Sequence, residues 1–149
     1  LYNSRAEEFS ARQLNAKIGG ASHVMFVVTT EDDDVFGCYY PLEVPIAGRL
    51  NTKVDCSKAH FIFTVQHPLH QPFRSFAKSG EKCLTLHSAN DTDIVVATAG
   101  FWIKSDARLY VYPSVSVQYR PPQTVINPFT RTMAPYFSMV KSFVAFQWE

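Results

Sequence analysis

Apolar and polar residues alternate over much of the chain, and a period of two predicts strands rather than helices. The clearest stretch is 101–119. There Phe101, Ile103, Leu109, Val111, Val115, Val117 and Tyr119 all fall at odd positions, and Lys104, Ser114, Ser116 and Gln118 fall at even ones. Ser105-Asp106-Ala107-Arg108 reads as the turn between two strands, and Pro113 marks an edge or a bulge in the second. Val24–Thr30 and Val35–Tyr40 are β-branched and aromatic runs on either side of Glu31-Asp32-Asp33-Asp34. They predict a hairpin with a solvated acidic turn. Further strands are expected at 60–65, 83–87, 94–99 and 139–148. Residues 41–58, with Pro41, Pro45, Gly48 and Asn51, and residues 121–135, with Pro121, Pro122 and Pro135, read as loops.

One helix start is well marked. Ser10 is placed to accept the amide proton of Gln13, and the Gln13 side chain to return a bond, as in a capping box. Phe9 and Leu14 flank this start as a hydrophobic staple. Leu14 and Ile18 then share one face, and Gly19-Gly20 supplies a positive-φ stop. The expected helix covers 10–18. Many short strands and few helical patterns together predict an antiparallel β-sandwich.

Composition bounds the class. The 149 residues carry 14 Lys and Arg against 13 Asp and Glu, a net charge of +1, with 46% hydrophobic and 18% charged residues. That size is one domain with enough apolar material for a core, not a disordered chain. The near-neutral balance argues against a dedicated nucleic-acid binder, and no apolar run approaches the ~18 residues of a membrane span. The chain opens at Leu1 without Met, which reads as a single domain, 1–149, excised from a longer protein. Cys38, Cys56 and Cys83 are odd in number and form no CxxC. A reducing compartment, cytoplasmic or nuclear, is therefore the expectation.

The candidate chemistry is sparse. Cys56, His60, His67, His70, Cys83 and His87 match no zinc spacing, and a metal-dependent enzyme would need at least three of them to converge. Glu31 to Asp34 lacks the alternation that spaces oxygen ligands around calcium. Neither Gly-x-Ser-x-Gly, a P-loop nor Gly-x-Gly-x-x-Gly occurs. The reading assigns no catalytic residue, no metal and no cofactor. One asymmetry stands out: residues 107–148 hold no carboxylate but include Arg108, Arg120, Arg131 and Lys141 among Tyr110, Tyr112, Tyr119, Phe129, Tyr136 and Phe137. Basic groups track phosphates and aromatics stack on bases, so a stress-responsive, transcription-regulatory nucleic-acid module is the alternative reading.

The order of several motifs resembles the TLDc domain of the oxidation-resistance and nuclear-receptor-coactivator family. Leu1-Tyr2-Asn3-Ser4 followed by Phe9-Ser10 is similar to the family's opening, with Glu8 where it has Gly. Val35-Phe36-Gly37-Cys38-Tyr39 resembles its VFGxY hairpin, and Phe61-Ile62-Phe63-Thr64-Val65 its FLFSL strand. Gly100-Phe101-Trp102-Ile103 with Asp106-Ala107-Arg108-Leu109-Tyr110-Val111 resembles its next hairpin. Asn127-Pro128 and Ala145-Phe146-Gln147-Trp148 are similar to its NP loop and terminal EVW strand. Two departures are Phe146 in place of the family's glutamate and a glycine-rich middle reduced to Gly100. The resemblance implies a mainly β, two-layer antiparallel β-sandwich with one or two short flanking helices. It also implies a non-enzymatic protein-interaction role, protection against oxidative stress and binding to subunits of the vacuolar proton-pumping ATPase. Loops on a rigid sandwich commonly carry binding, and Tyr and Arg are enriched at hot spots. Tyr39, Tyr40, Arg49, Arg120, Phe129 and Arg131 are the expected contacts on or beside loops 41–58 and 121–135.

Overall fold

Period-two patterning becomes a single antiparallel ladder. The computed structural model describes residues 1–55, 58–77, 82–122 and 125–148. Its elements are β1 (Tyr2–Asn3), α1 (Ala11–Ile18), β2 (Val24–Thr30), β3 (Val35–Tyr40), β4 (Thr52–Asp55), β5 (Phe61–Gln66) and β6 (Phe73–Phe76). They continue with β7 (Lys82–Leu86), β8 (Ile94–Thr98), β9 (Phe101–Lys104), β10 (Arg108–Val111), α2 (Val115–Tyr119) and β11 (Ser138–Gln147). The strands hydrogen-bond in the order β4-β7-β8-β9-β10-β11-β2-β3-β5-β6, with β1 beside β11. Strand β11 belongs to both halves. Ser138 and Met139 pair with β10, and Val140 to Gln147 pair with β2, with a register shift between Val140 and Ser142. The two halves then face each other as layers. Phe36 of β3 meets Phe101 of β9 edge-on at 5.4 Å, and Phe129 packs on both, at 4.7 Å and 5.3 Å.

Alternation explains which side chains fill that interior. In β2, Val24, Phe26, Val28 and Thr30 are buried, while Met25, Val27 and Thr29 are only partly so. Phe143 and Ala145 of β11 continue the buried face. Phe146 points to the other side, opposite Met25. Helix α1 begins as its sequence requires: Ser10 Oγ accepts from the Gln13 amide at 3.2 Å. Leu14 and Ile18 are fully buried. The Gln13 side chain bonds the Glu7 carboxylate, whose pKa is lowered chiefly by the Lys17 ammonium. The left-handed residue after the helix is Gly20, at φ +81°, rather than Gly19.

Four expectations need correction. Residues 115–119 form α2, not the end of a strand. Odd-position alternation also satisfies an i, i+4 helical pair, and Val115 and Tyr119 are the two buried residues while Val117 is 62% exposed. The stretch 41–58 is not all loop: it contains β4, and buried Val44 bonds Ala21 and Gly20 through its backbone. Asp34 is not a solvated turn residue. It is 2% exposed, and its amide donates to Thr30 Oγ1 at 3.2 Å. Strand β6 was hidden because only four residues, beginning directly after Gln71-Pro72, pair with β5.

A buried polar link ties α2 to the first layer. His60 is 1% exposed, its Nδ1 lies 2.6 Å from the Tyr39 carbonyl and its Nε2 2.7 Å from the Tyr119 hydroxyl. A carbonyl only accepts, so Nδ1 carries the proton and Nε2 accepts from Tyr119. Ser75 of β6 donates to the Tyr119 carbonyl. Burial pushes the His60 pKa down to about 4, against an ordinary 6.5, despite the opposing backbone bond. The unfolded chain therefore binds the extra proton first as pH falls. The contribution of a neutral His60 is complete above about pH 6.5 and is lost as pH falls toward 4. Its full size is about 3 kcal/mol. In urea unfolding, the stability gap between the native chain and His60→Gln should shrink between about pH 7 and about pH 5; a gap that ignores pH would refute this account. A second check concerns Gly37. A Cβ there would strike the Phe26 carbonyl and come within 2.8 Å of Phe63 Cζ. Gly37→Ala should cost about 2–3 kcal/mol in the same assay.

Candidate functional site

Two connections supply the residues of one surface groove. Strand β5 runs out into His67-Pro68-Leu69-His70 before the chain returns as β6. The long connection before β11 passes beside it and is shaped by Asn127. Asn127 Oδ1 accepts from the amides of Phe129 and Thr130, both at 3.0 Å, and its Nδ2 donates to the Thr132 carbonyl at 2.7 Å. This side chain thus closes the turn around Pro128, while Phe129 is driven into the core. The groove between the connections has a volume of about 420 Å³. Leu69, Val125, Ile126 and Met133 supply apolar wall, and His67, His70 and Arg131 supply polar atoms. Leu69 and Ile126 are 76% and 73% exposed.

Hydrogen bonding determines what the two histidines do. The Leu69 amide donates to His67 Nδ1 at 3.1 Å, so a neutral His67 must hold its proton on Nε2 and donate to the Thr130 carbonyl, 3.2 Å away. Burial lowers the His67 pKa, a trend opposed by the Thr130 bond. The His70 ring stacks on His67 at 3.8 Å and 16°, and its Nδ1 donates to the Gln71 carbonyl at 3.1 Å. Beneath them, burial raises the Asp34 pKa, while His67, Thr30 and Arg131 pull it back. His67 has both ring nitrogens committed, so it lacks the unengaged lone pair of a general base. The arrangement can bind through an apolar wall with a cationic rim.

The expected contact residues separate by burial. Tyr40 is 1% exposed and Phe129 is fully buried, so a partner docking on the folded surface does not reach them. Their size fills the interior instead. Tyr39 is half-buried, with its hydroxyl 2.6 Å from His23 Nδ1 and its ring against Phe61. Arg49, Arg120 and Arg131 are exposed, and Arg131 lines the groove. The basic set proposed for nucleic acid is already partly paired: Arg108 lies 3.3 Å from Asp106 and over the Phe137 ring, and Lys141 lies 3.4 Å from Asp33. Among the described residues no three of His, Cys, Asp and Glu gather as a metal set; Cys56 lies outside those residues. Cys38 and Cys83 are buried. No helix among the described residues is long and apolar enough to cross a membrane.

The TLDc domain model matches residues 1–112. The chain belongs to the TLDc family. The matched stretch runs from β1 through β10, one residue past its end, and so includes His67 and His70 but not the Asn127 turn, Arg131 or β11. No curated protein matches the chain. In this TLDc domain, then, the groove joins a wall from the matched segment to one from outside it.

The histidine pair was missed in the sequence because His67 and His70 flank Pro68 and looked like separate loop residues. The signal was present in His-Pro-Leu-His: three-residue spacing around a proline lets a tight turn superpose two rings. Nitrogen-detected NMR of the imidazoles should find His67 in the Nε2–H tautomer, still neutral at a pH where an ordinary histidine is half protonated. An Nδ1–H signal would contradict the arrangement.

Proposed function

We propose that this TLDc domain is a non-enzymatic protein-interaction module of the cytoplasm or nucleus, acting in the oxidative-stress response by docking on the vacuolar proton-pumping ATPase. The family match over 1–112 carries the reading. The groove supports it physically. A contiguous apolar wall bounded by His70 and Arg131 is the kind of surface that buries a partner's side chains and orients them with a few polar contacts. Both expected contact loops also expose large apolar residues: Leu42, Ile46 and Leu50 on one, Ile126 on the other. Arginines 49, 120 and 131, on or beside the same loops, are exposed as well, and Arg131 lines the groove with Ile126.

The nucleic-acid alternative has less support, since Arg108 and Lys141 already face carboxylates. Direct binding of the purified chain to the purified peripheral sector of the proton pump tests the proposal. Native chain should bind, and Arg131→Ala with Ile126→Ser should weaken binding about tenfold or more without lowering the melting temperature. Duplex DNA should show no tight, steeply salt-dependent binding. Failure of the native chain to bind the pump sector at about 100 µM would overturn the assignment.

A further inference from the structure

The layer β11-β2-β3-β5-β6 is apolar on both of its faces. Antiparallel layers that meet water on one side carry polar residues there, and this one does not. Register lines up Phe146, Met25, Tyr39, Phe61 and Phe76 in one outward row across the five strands. Val144, Val27, Gly37 and Phe63 follow in the next row, which ends at Arg74. Phe61 meets Tyr39 at 5.1 Å and Phe76 at 5.5 Å, and Trp148 extends the first row beside Phe146. Phe76 is 49% and Trp148 55% exposed, and the other large apolar members are half-buried. Helix α1 lies against β1 and β8, and α2 is joined to the layer through the buried His60, so neither helix covers this face. A contiguous apolar surface of this kind marks an interaction site.

Backbone pairing, size and charge narrow what fits it. Strands β11, β2, β3 and β5 are hydrogen-bonded on both edges, so whatever lies on the face receives no backbone bond from them. An extended segment would leave its own N–H and C=O groups without partners there. A helix satisfies them internally, and helices are the elements that cover apolar sheet faces. The row across five strands is about 19 Å wide, the length of a helix of about 13 residues. Arg74 is the one charge in the two rows. Its guanidinium lies over the Phe61 and Phe76 rings, 5.2 Å and 5.0 Å from their centroids, and makes no ion pair among the described residues. The rings hold the cation at the rim of the apolar surface, where a carboxylate flanking apolar side chains complements it. A second copy offers no such group on this face, because its own rows contain neither Asp nor Glu.

We propose that the outer face of this layer docks an amphipathic helix of a partner protein, with its apolar stripe on the two rows and a flanking Asp or Glu on Arg74. The face shares no residue with the groove beside His67, so it stands whether or not the pump is the partner.

Selection of helical peptides of about 16 residues from a displayed library, against the native chain, tests it. Enriched peptides should carry apolar residues at i, i+3, i+4 and i+7 with an acid on the flank of that stripe. They should bind at about 10–100 µM and gain helical circular dichroism on binding. Arg74→Glu should weaken them about tenfold, and changing the peptide's acid to Lys should restore binding to that variant. Phe76→Ser, at an exposed position, should weaken them too, with a melting temperature within about 5 °C of the native chain. The proposal is overturned if no helical peptide is enriched, or if binding ignores both substitutions. It is equally overturned by a chain that sediments as a dimer until Phe76→Ser is made, or by one that binds phosphatidylserine vesicles through this face and no peptide.

Discussion

The pairing of β11 along both of its ends is the constraint on which the rest depends. One strand of ten residues cannot lie flat in a sheet that must face itself. The register shift between Val140 and Ser142 lets it leave β10 and join β2. Every other strand takes its layer from its distance along the ladder from that point. The same closure brings β1 onto the outer side of β11, where Ser4 Oγ accepts from the Phe143 amide at 2.8 Å. The two ends of the described chain are thereby held by one strand. The fold is consequently non-local. Its layers form only after the last strand arrives, which places it among topologies with a high loop-closure cost during folding.

Polar groups inside such a sandwich must be satisfied or they select against the fold. The structure handles most of them by giving each a backbone partner. His60 and Tyr119 close one edge, Asn127 closes the turn before β11, and Thr98 Oγ1 accepts from the amides of Gly100 and Phe101 at the β8–β9 corner. Gly100 is there because Phe129 leaves no room: a Cβ would approach the Phe129 ring within 2.7 Å.

How much of this was legible follows from range. Hairpin β2–β3 was readable because its alternation is long and the turn between the strands is short. Helix α1 was readable because Ser10, Leu14 and Ile18 act within one segment. Residues 115–119 were misread because alternation and helical spacing coincide at Val115 and Tyr119, and only the shape of the surrounding core decides between them. Tyr40 and Phe129 were expected at the surface because residue type signals contact chemistry, whereas burial is set by the partner layer. Arg131 is exposed, but His70, which lines the same groove, stands 61 residues earlier, and no local pattern joins them.

The TLDc match ends at Tyr112, yet the sandwich does not. Without β11 the two layers lose the strand they share, so residues beyond the matched segment complete the same ladder. This division bears on function. The matched segment supplies a scaffold with most of its strand pairing complete, and the stretch beyond it, 113–149, both closes it and builds the Asn127 turn over His67. The closing segment contains no carboxylate before Glu149, so Asp33 and Asp34 of the first hairpin provide its nearby negative charge. Changes to loop 121–135 can therefore alter the groove wall while the matched scaffold keeps its register, which is how one fold comes to present different surfaces.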